Sequence, residues 1–396
     1  MQLGADHVRV RVPATSANLG PGFDALGLAL ALHDVLDVRA LASDDVVVDV
    51  EGEGAGEVPG DESHLVVRAL RAALDVAGAP QTGLHLTCVN RVPHGRGLGS
   101  SAAAVVAGIV AARALVADPS VLDDDVALGL ATAIEGHPDN AAPALLGGAT
   151  VAWESGTPGA GARAVRLDVH PDLRATVLVP SARLATSRAR GVLPAQVPHA
   201  DAAFNAGRSA LLVEALTRRP DLLLDATDDR LHQGYRAGVM PTTSELVRAL
   251  RARGLAATVS GAGPTVLVLS AAERLDEVAG VAAELVGGGG TWPDGRAAPR
   301  RAGESARGRG RGAAGEGSQA GRGAATSSSG GARTGRSAAS TSTRAGSSPN
   351  GSDRCPAGAR MVPAFGHALA SAVERSPARK CRDRARPREG NPARVR

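Results

Sequence analysis

Residues 93–103 read P-H-G-R-G-L-G-S-S-A-A, and this string constrains the fold more than any other in the chain. Upstream, Leu84 to Val89 alternate as a strand does. Downstream, an alanine- and valine-rich segment runs to Leu115 with the length of a buried helix. Three alternating glycines therefore join a strand to a helix. A helix start carries unpaired N–H groups and partial positive charge, which makes it an anion site. Gly95, Gly97 and Gly99 let the backbone take positive φ and approach a phosphate closely. Ser100 or Ser101 supplies either an N-cap or a hydroxyl for Mg²⁺. The plainer reading is a glycine-rich turn with a capping serine. A Walker loop is excluded, because no G-K-[ST] follows and the first lysine of the chain is Lys380. The pattern points to a nucleotide-using enzyme with a different phosphate loop.

Charge separates the chain into two parts. Residues 1–287 hold 23 basic and 33 acidic residues, whereas residues 288–396 hold 21 basic and 7 acidic. The net charge of +4 thus belongs to the tail, and no nucleic acid is expected from the folded part. Three cysteines, Cys88, Cys355 and Cys381, make neither a disulfide framework nor a C-x-x-C pair, which suits a reducing cytoplasm. Asp6, Arg9 and Arg11 interrupt any signal-like apolar start, and Arg113 interrupts the most apolar stretch, so no membrane segment is expected.

Mixed strand and helix signals without strict alternation predict an α+β protein of two domains. The first, 1–155, has strands at His7–Pro13 (an edge strand), Gly27–Leu41, Asp45–Val50 and Gly147–Trp153. Its helices run over Glu62–Gly78 and from an Asp123 cap to Glu135. The second, 156–287, has strands at Ala162–Val169, Ala175–Val179, Ala256–Ser260 and Thr265–Leu269, with helices near 199–217, 243–253 and 271–286. After Val286 the composition turns to Gly, Ala, Ser and Arg, which cannot bury enough apolar surface to offset its ordering entropy, so 288–396 reads as a disordered tail. A short apolar patch, Met361 to Val373, stands alone within it. So abrupt a change in mid-domain is what a shifted reading frame would produce.

Three separated segments carry a resemblance. Residues 12–30 read V-P-A-T-S-A-N-L-G-P-G-F-D-A-L-G-L-A-L; the glycine loop is the second; Val259 to Thr265, V-S-G-A-G-P-T, is the third. In this order they resemble the three motifs of the GHMP small-molecule kinase superfamily. The first, together with E-G-H-P-D-N at 135–140, is similar to its homoserine kinase branch. The resemblance implies a GHMP kinase fold, with an N-terminal domain like the second domain of ribosomal protein S5 and a ferredoxin-like C-terminal domain. The final strand of the latter is missing from the pattern after 286. It also implies ATP-dependent phosphorylation of the L-homoserine hydroxyl, a step toward threonine, with ATP in the cleft between the domains and a homodimer compatible.

By that resemblance the loop from Pro93 through Gly95, Arg96, Gly97, Leu98, Gly99, Ser100 and Ser101 holds the phosphates, and Ser101 with Glu135 reaches Mg²⁺. The substrate ammonium meets Asp24 and Asn18. Its carboxylate meets Thr186 and Arg190 (T-S-R-A-R-G-V-L-P) and Arg236 (Q-G-Y-R-A-G-V-M-P), whose planar forks match two oxygens. His137, Asp139 and Asn140 line the substrate end, and Gly261 brings the third segment close to it. Taken singly, Glu135 is a carboxylate at a helix end, His137 a helix cap, Asp139 an Asx turn and each arginine a solvated charge. No side chain is assigned as general base. The absence of lysine before residue 380 argues against the Asp-Lys arrangement of the mevalonate-type kinases. Two other readings stay open: a non-catalytic remnant or RNA-associated protein working through its Arg/Gly tail, and a GHMP kinase for another small hydroxylated substrate.

Overall fold

The computed structural model describes residues 2–156, 161–287 and 372–377. Strands β1 (Ala5–Ala17), β2 (Leu26–Leu41), β3 (Val46–Gly52), β4 (Gly83–Asn90), β5 (Ala149–Glu154) and β6 (Ala162–Leu167) build the larger sheet with a late strand described below. β2 pairs with β1 along one edge and is long enough to serve two partners on the other. Its second half pairs with β4 from Val35↔Val89 to Leu41↔Gly83, and its first three residues pair with β5. Among the described strands only β3 and β4 run parallel, and α1 (Leu65–Val76) makes the crossover between them.

α1 forms where the sequence predicts it. Val66, Val67, Leu70, Ala73 and Leu74 recur at helical spacing and are buried, and the His64 ring accepts the Val66 N–H at its start. It packs on α2 (Ser100–Leu115), whose small Ala, Val and Gly side chains are buried on nearly every side. α3 (Asp124–Glu135) is capped by Asp123, which accepts the Val126 N–H at 2.9 Å, and ends at Gly136 with φ +85°. α4 (Ala141–Leu146) closes this layer. Between sheet and helices lies a continuous core including Val8, Val10, Leu70, Leu86, Ile109 and Leu128.

The smaller sheet has the order β7 (Leu173–Leu178), β9 (Val266–Ala271), β8 (Ala256–Val259), antiparallel throughout. Helices α5 (Thr186–Gly191), α6 (His199–Thr217), α7 (Leu223–Ala226), α8 (Gln233–Arg236) and α9 (Pro241–Ala252) intervene between β7 and β8, and α10 (Leu275–Gly287) follows β9. This is the ferredoxin-like succession without its last strand: among the described residues nothing pairs with the outer edge of β7. The two sheets share a core in which Leu26, Leu28 and Leu30 meet Leu173, Val177, Leu212 and Leu269.

Two expectations change. Ala162–Leu167, assigned by sequence to the second domain, pairs with β5 along its whole length and belongs to the first sheet, so the domain boundary falls after β6. The disorder expected over 288–396 lies largely outside the described residues, but Ala372–Pro377 form a strand, β10. It pairs antiparallel with β1, from Arg11↔Ala372 to Ala5↔Pro377, so β1 is not an edge strand. The sequence hides this because a tail strand on an existing edge needs only backbone groups, not an apolar pattern.

Candidate active site

The glycine loop is held from several sides by its own carbonyls. Leu184 N donates to Gly95 O (2.9 Å), Thr265 N to Arg96 O (3.3 Å) and Thr15 N to Leu98 O (3.0 Å). The Ser260 hydroxyl donates to Gly97 O at 2.6 Å. In a trans peptide each following N–H points opposite to its carbonyl, so these bonds turn the N–H groups of 96–99 away from their partners. Gly95, Gly97 and Gly99 have φ of +66°, +75° and +64°. Gly99, not a serine, is the N-cap of α2, and it supplies no side-chain cap. The first turn of α2 therefore keeps donors for an external anion. The capping role expected of Ser100 or Ser101 is corrected accordingly: the Ser101 hydroxyl donates to the Glu135 carboxylate at the end of α3.

That pair stands at one side of a cavity of about 390 Å³. Gly95, Gly97, Leu98, Gly99, Ser100 and Ser101 line it, as do Asn18, Glu135, His137, Asn140, Thr186, Arg190, Arg236 and Gly261. Two expected loop residues do not. Pro93 is buried, and Arg96 turns to the Pro180 and Ser181 carbonyls at 2.9 and 3.0 Å. Arg96 thus fastens the loop to the second domain.

Asp24 and Arg190, expected to take opposite ends of a ligand, bond each other through both oxygens at 2.6 and 3.1 Å. Both are about one-third exposed. Asp24 lies just outside the cavity wall and Arg190 within it. Asn18, Leu19 and Asp24 all take positive φ (+69°, +49° and +56°), which non-glycine residues adopt at a cost. Asn18 holds the turn: its Oδ1 accepts the Asp24 N–H at 3.0 Å and its Nδ2 donates to Gly261 O at 2.9 Å. Phe23, which sequence reasoning passed over, lies under both guanidinium groups, with Arg190 and Arg236 5.7 and 5.6 Å from its ring centre.

The G-H-P-D-N turn gives Asp139 a larger part than an Asx turn. Asp139 is 2% exposed and lies 2.6 Å from His137 Nδ1. This bond, above all, raises the His137 pKa. Asn140 Oδ1 accepts the Thr15 hydroxyl at 2.8 Å. Glu135 is pushed above the usual carboxylate range by burial, against the Ser101 bond. A second, more apolar cavity of about 350 Å³ meets the first at Ser100 and Ser101; Val58, Leu65, Cys88 and Ala104 are in its wall. No motif announced it, because its wall is assembled from separated strand and helix residues. Among the described residues no cluster of three His, Cys, Asp or Glu forms a metal nest, and no helix is long and apolar enough to cross a membrane.

Residues 64–148 match the family described as GHMP kinases N terminal domain, and residues 203–288 that described as GHMP kinases C terminal. A Streptomyces coelicolor homoserine kinase is 57% identical over 277 residues, covering 69% of this chain and 88% of that protein. The chain belongs to the homoserine kinase family. A homoserine kinase from Clavibacter michiganensis is 56% identical over 281 residues, covering 70% of this chain and 86% of its own. The crystal structure of homoserine kinase from Cytophaga hutchinsonii superposes with a TM-score of 0.61 at 28% identity, over 71% of this chain and 89% of that one. The two-domain α+β GHMP fold is that of the family, and the second matched segment ends at residue 288, where the composition turns.

Proposed function

We propose that this chain transfers the γ-phosphoryl group of ATP to the side-chain hydroxyl of L-homoserine, giving O-phospho-L-homoserine on the way to threonine. One observation carries the reading. Arg190, paired with Asp24, and Arg236 line the same cavity as a glycine loop with an uncapped helix start. An amino acid needs an anion for its ammonium and a planar cation for its carboxylate; a triphosphate needs N–H donors.

In this reading the apolar cavity receives the nucleoside, since it opens beside Ser100 and Ser101 and its walls suit a flat ring. The loop amides and the start of α2 hold the phosphates, and Arg96 keeps the loop in register. Ser101 and Glu135 fit Mg²⁺. They are adjacent oxygen donors, Glu135 is a partly buried carboxylate bonded by a neutral hydroxyl, and Mg²⁺ takes few protein ligands besides phosphate and water. Held there, the ion would supply charge neutralisation for the phosphates.

Asp24 and Asn18 orient the ammonium end. Arg190, Arg236 and Thr186 orient the carboxylate, with His137 and Asn140 along the side. The hydroxyl oxygen forms the new bond to the γ-phosphorus as the bond to the bridging oxygen breaks, and its proton passes to an oxygen of the transferred group. No side chain has to accept it. His137 is poorly suited as a base, because Asp139 favours its protonated form. Positioning and charge then supply most of the rate. A cytoplasmic setting fits the single buried thiol among the described residues, Cys88, pushed up to about 12 chiefly by burial.

The test is ATP consumption by the purified protein with L-homoserine, L-threonine, mevalonate and galactose as acceptors, with the product read by phosphorus NMR. Turnover with homoserine alone supports the reading. Turnover with another acceptor only would move the chain to a different GHMP substrate, and none with any would make it non-catalytic.

A further inference from the structure

Arg236 is 1% exposed although it reaches the cavity, so its charge is held by neighbours rather than by water. Its Nε donates to Ala189 O at 3.1 Å and its Nη1 to Gly261 O at 3.2 Å. The remaining partner of Nη1 is His232 Nδ1, at 3.0 Å. A guanidinium group has donors only. Nδ1 must therefore present a lone pair, and the ring proton sits on Nε2. That nitrogen lies 2.8 Å from Gly20 O, which can only accept. The two bonds together select one neutral tautomer.

The ring is fully buried and touches both halves of the site. Gly20 belongs to the N-L-G-P-G-F-D turn that carries Asp24, and the His232 ring stacks obliquely on Phe23, 5.3 Å between centres. Behind it, Asp229 accepts the N–H groups of Leu231, His232 and Gln233 (3.0, 3.1 and 2.8 Å) and the Asn205 amide (3.1 Å), which fixes the turn from which His232 projects. Asp229 Oδ2 is 3.7 Å from His232 Nε2, outside hydrogen-bond range.

We infer that His232 is a positioning residue: its neutral ring accepts from Arg236 through Nδ1 and donates to Gly20 through Nε2, locking the carboxylate-binding arginine to the turn that binds the ammonium. The inference rests on the reading of Arg236 as a homoserine contact. It also explains why an arginine can be buried here without a carboxylate partner within bonding distance. Its charge is shared among two carbonyls and an imidazole lone pair through Nε and Nη1, so the two N–H donors of Nη2 are left for a ligand anion.

Two isosteres separate the two ring nitrogens. His232→Asn keeps an acceptor near Nδ1 and loses the Gly20 bond; His232→Gln keeps a donor near Nε2 and loses the acceptor for Arg236. Steady-state KM for homoserine and for ATP, with kcat, is measured for both and for Arg236→Ala. The expected result is a homoserine KM raised about tenfold or more in His232→Gln, as for a lost bond to a charged group, with the ATP KM within about twofold. His232→Asn, which keeps the acceptor for Arg236 but loses the neutral bond to Gly20, should raise the homoserine KM less, by about threefold. Equal effects of the two substitutions, or parallel changes in both KM values, would overturn the positioning role. An Arg236→Ala protein with unchanged homoserine KM would instead overturn the reading of Arg236. Independently of any variant's folding, the imidazole ¹⁵N shifts of His232 in the intact protein must show the Nε2–H neutral form at pH 7. An Nδ1–H or cationic ring there would also refute the assignment.

Discussion

Gly97→Ala is the substitution that tests the loop most directly, with Gly95→Ala as its control. Both glycines have left-handed φ, +75° and +66°, so an alanine at either pays the same backbone strain, about 1–2 kcal/mol. What differs is space. At Gly95 a methyl group meets nothing closer than Arg183 Cβ at 3.5 Å, an ordinary contact. At Gly97 it would overlap the Ser260 carbonyl oxygen and sit 2.9 Å from both Gly263 N and Gly263 O. Those atoms are backbone and cannot rotate aside. The loop would have to retreat, breaking the 2.6 Å Ser260–Gly97 bond at a cost of about 1 kcal/mol. Strain and lost bond together give about 2–3 kcal/mol for Gly97→Ala, against about 1–2 for Gly95→Ala. At roughly 2–4 °C per kcal/mol, that is a fall in Tm of about 8 °C against about 5 °C. Activity should separate them further. A displacement on the order of 1 Å at the phosphate site costs roughly a hundredfold in kcat/KM for ATP, while Gly95→Ala should stay within about fivefold on the strain argument alone. Thermal unfolding and initial rates over an ATP series read both quantities. Equal losses for the two variants would refute the close-approach argument and leave φ as the whole explanation.

Arg236→Ala should weaken homoserine binding by about 2–5 kcal/mol, because a bound carboxylate loses its cation; titration calorimetry with homoserine checks it. Glu135→Gln should lower kcat at least about tenfold and raise the Mg²⁺ concentration needed for half-maximal rate, whereas an unchanged Mg²⁺ response would remove Glu135 from the ion's site. His137 has its pKa raised in the folded protein by the Asp139 bond, so the stability this adds is fully present below the unfolded value near 6.5 and is lost as pH rises through the folded value. Asp139→Asn should therefore cost more stability at pH 6 than at pH 9 in urea titrations, and an equal or opposite difference would refute that linkage. Removing residues 288–396 should leave kcat/KM within about threefold, since neither cavity at the candidate active site takes a described residue from there, but should expose the β1 edge and increase self-association seen by light scattering.

The elements with strong periodicity were legible in the residues: α1, α2, α3 and α6 fall within a few positions of their expected bounds. The loop glycines, Ser101, Glu135, His137, Asn140, Arg190 and Arg236, each named from its motif, line one cavity. What escaped were properties of partners rather than of strings. Ala162–Leu167 reads as a strand in either domain, and only its register with β5 decides which. Arg96 looks like a phosphate ligand by position, yet its fork is taken by two carbonyls of the second domain. Phe23 and His232 carry no signal on their own, and Asp139, named within its motif, shows its bond to His137 only in the fold. Each matters because of what the fold stacks, bonds or buries against it.

Why three short strings should travel together also has a physical answer in their contacts. Ser16 of the first bonds Ser260 of the third at 2.8 Å, Ser260 reaches Gly97 of the second, Asn18 reaches Gly261, and Thr15 joins Leu98 to Asn140. Each motif is the others' environment, so none can change freely. The same economy governs the charges. Asp24 is paired with Arg190 and Asp139 with His137 before any ligand arrives. A zwitterionic amino acid can therefore enter by exchange, its ammonium replacing part of Arg190 at Asp24 and its carboxylate replacing part of Asp24 at Arg190. Neither group need be stripped of all partners on the way, which lowers the desolvation cost that buried charges otherwise impose. A triphosphate brings net negative charge that no such exchange can balance. Its end of the cavity accordingly holds unpaired helix-start donors and the Ser101–Glu135 pair, where a divalent cation can make up the difference.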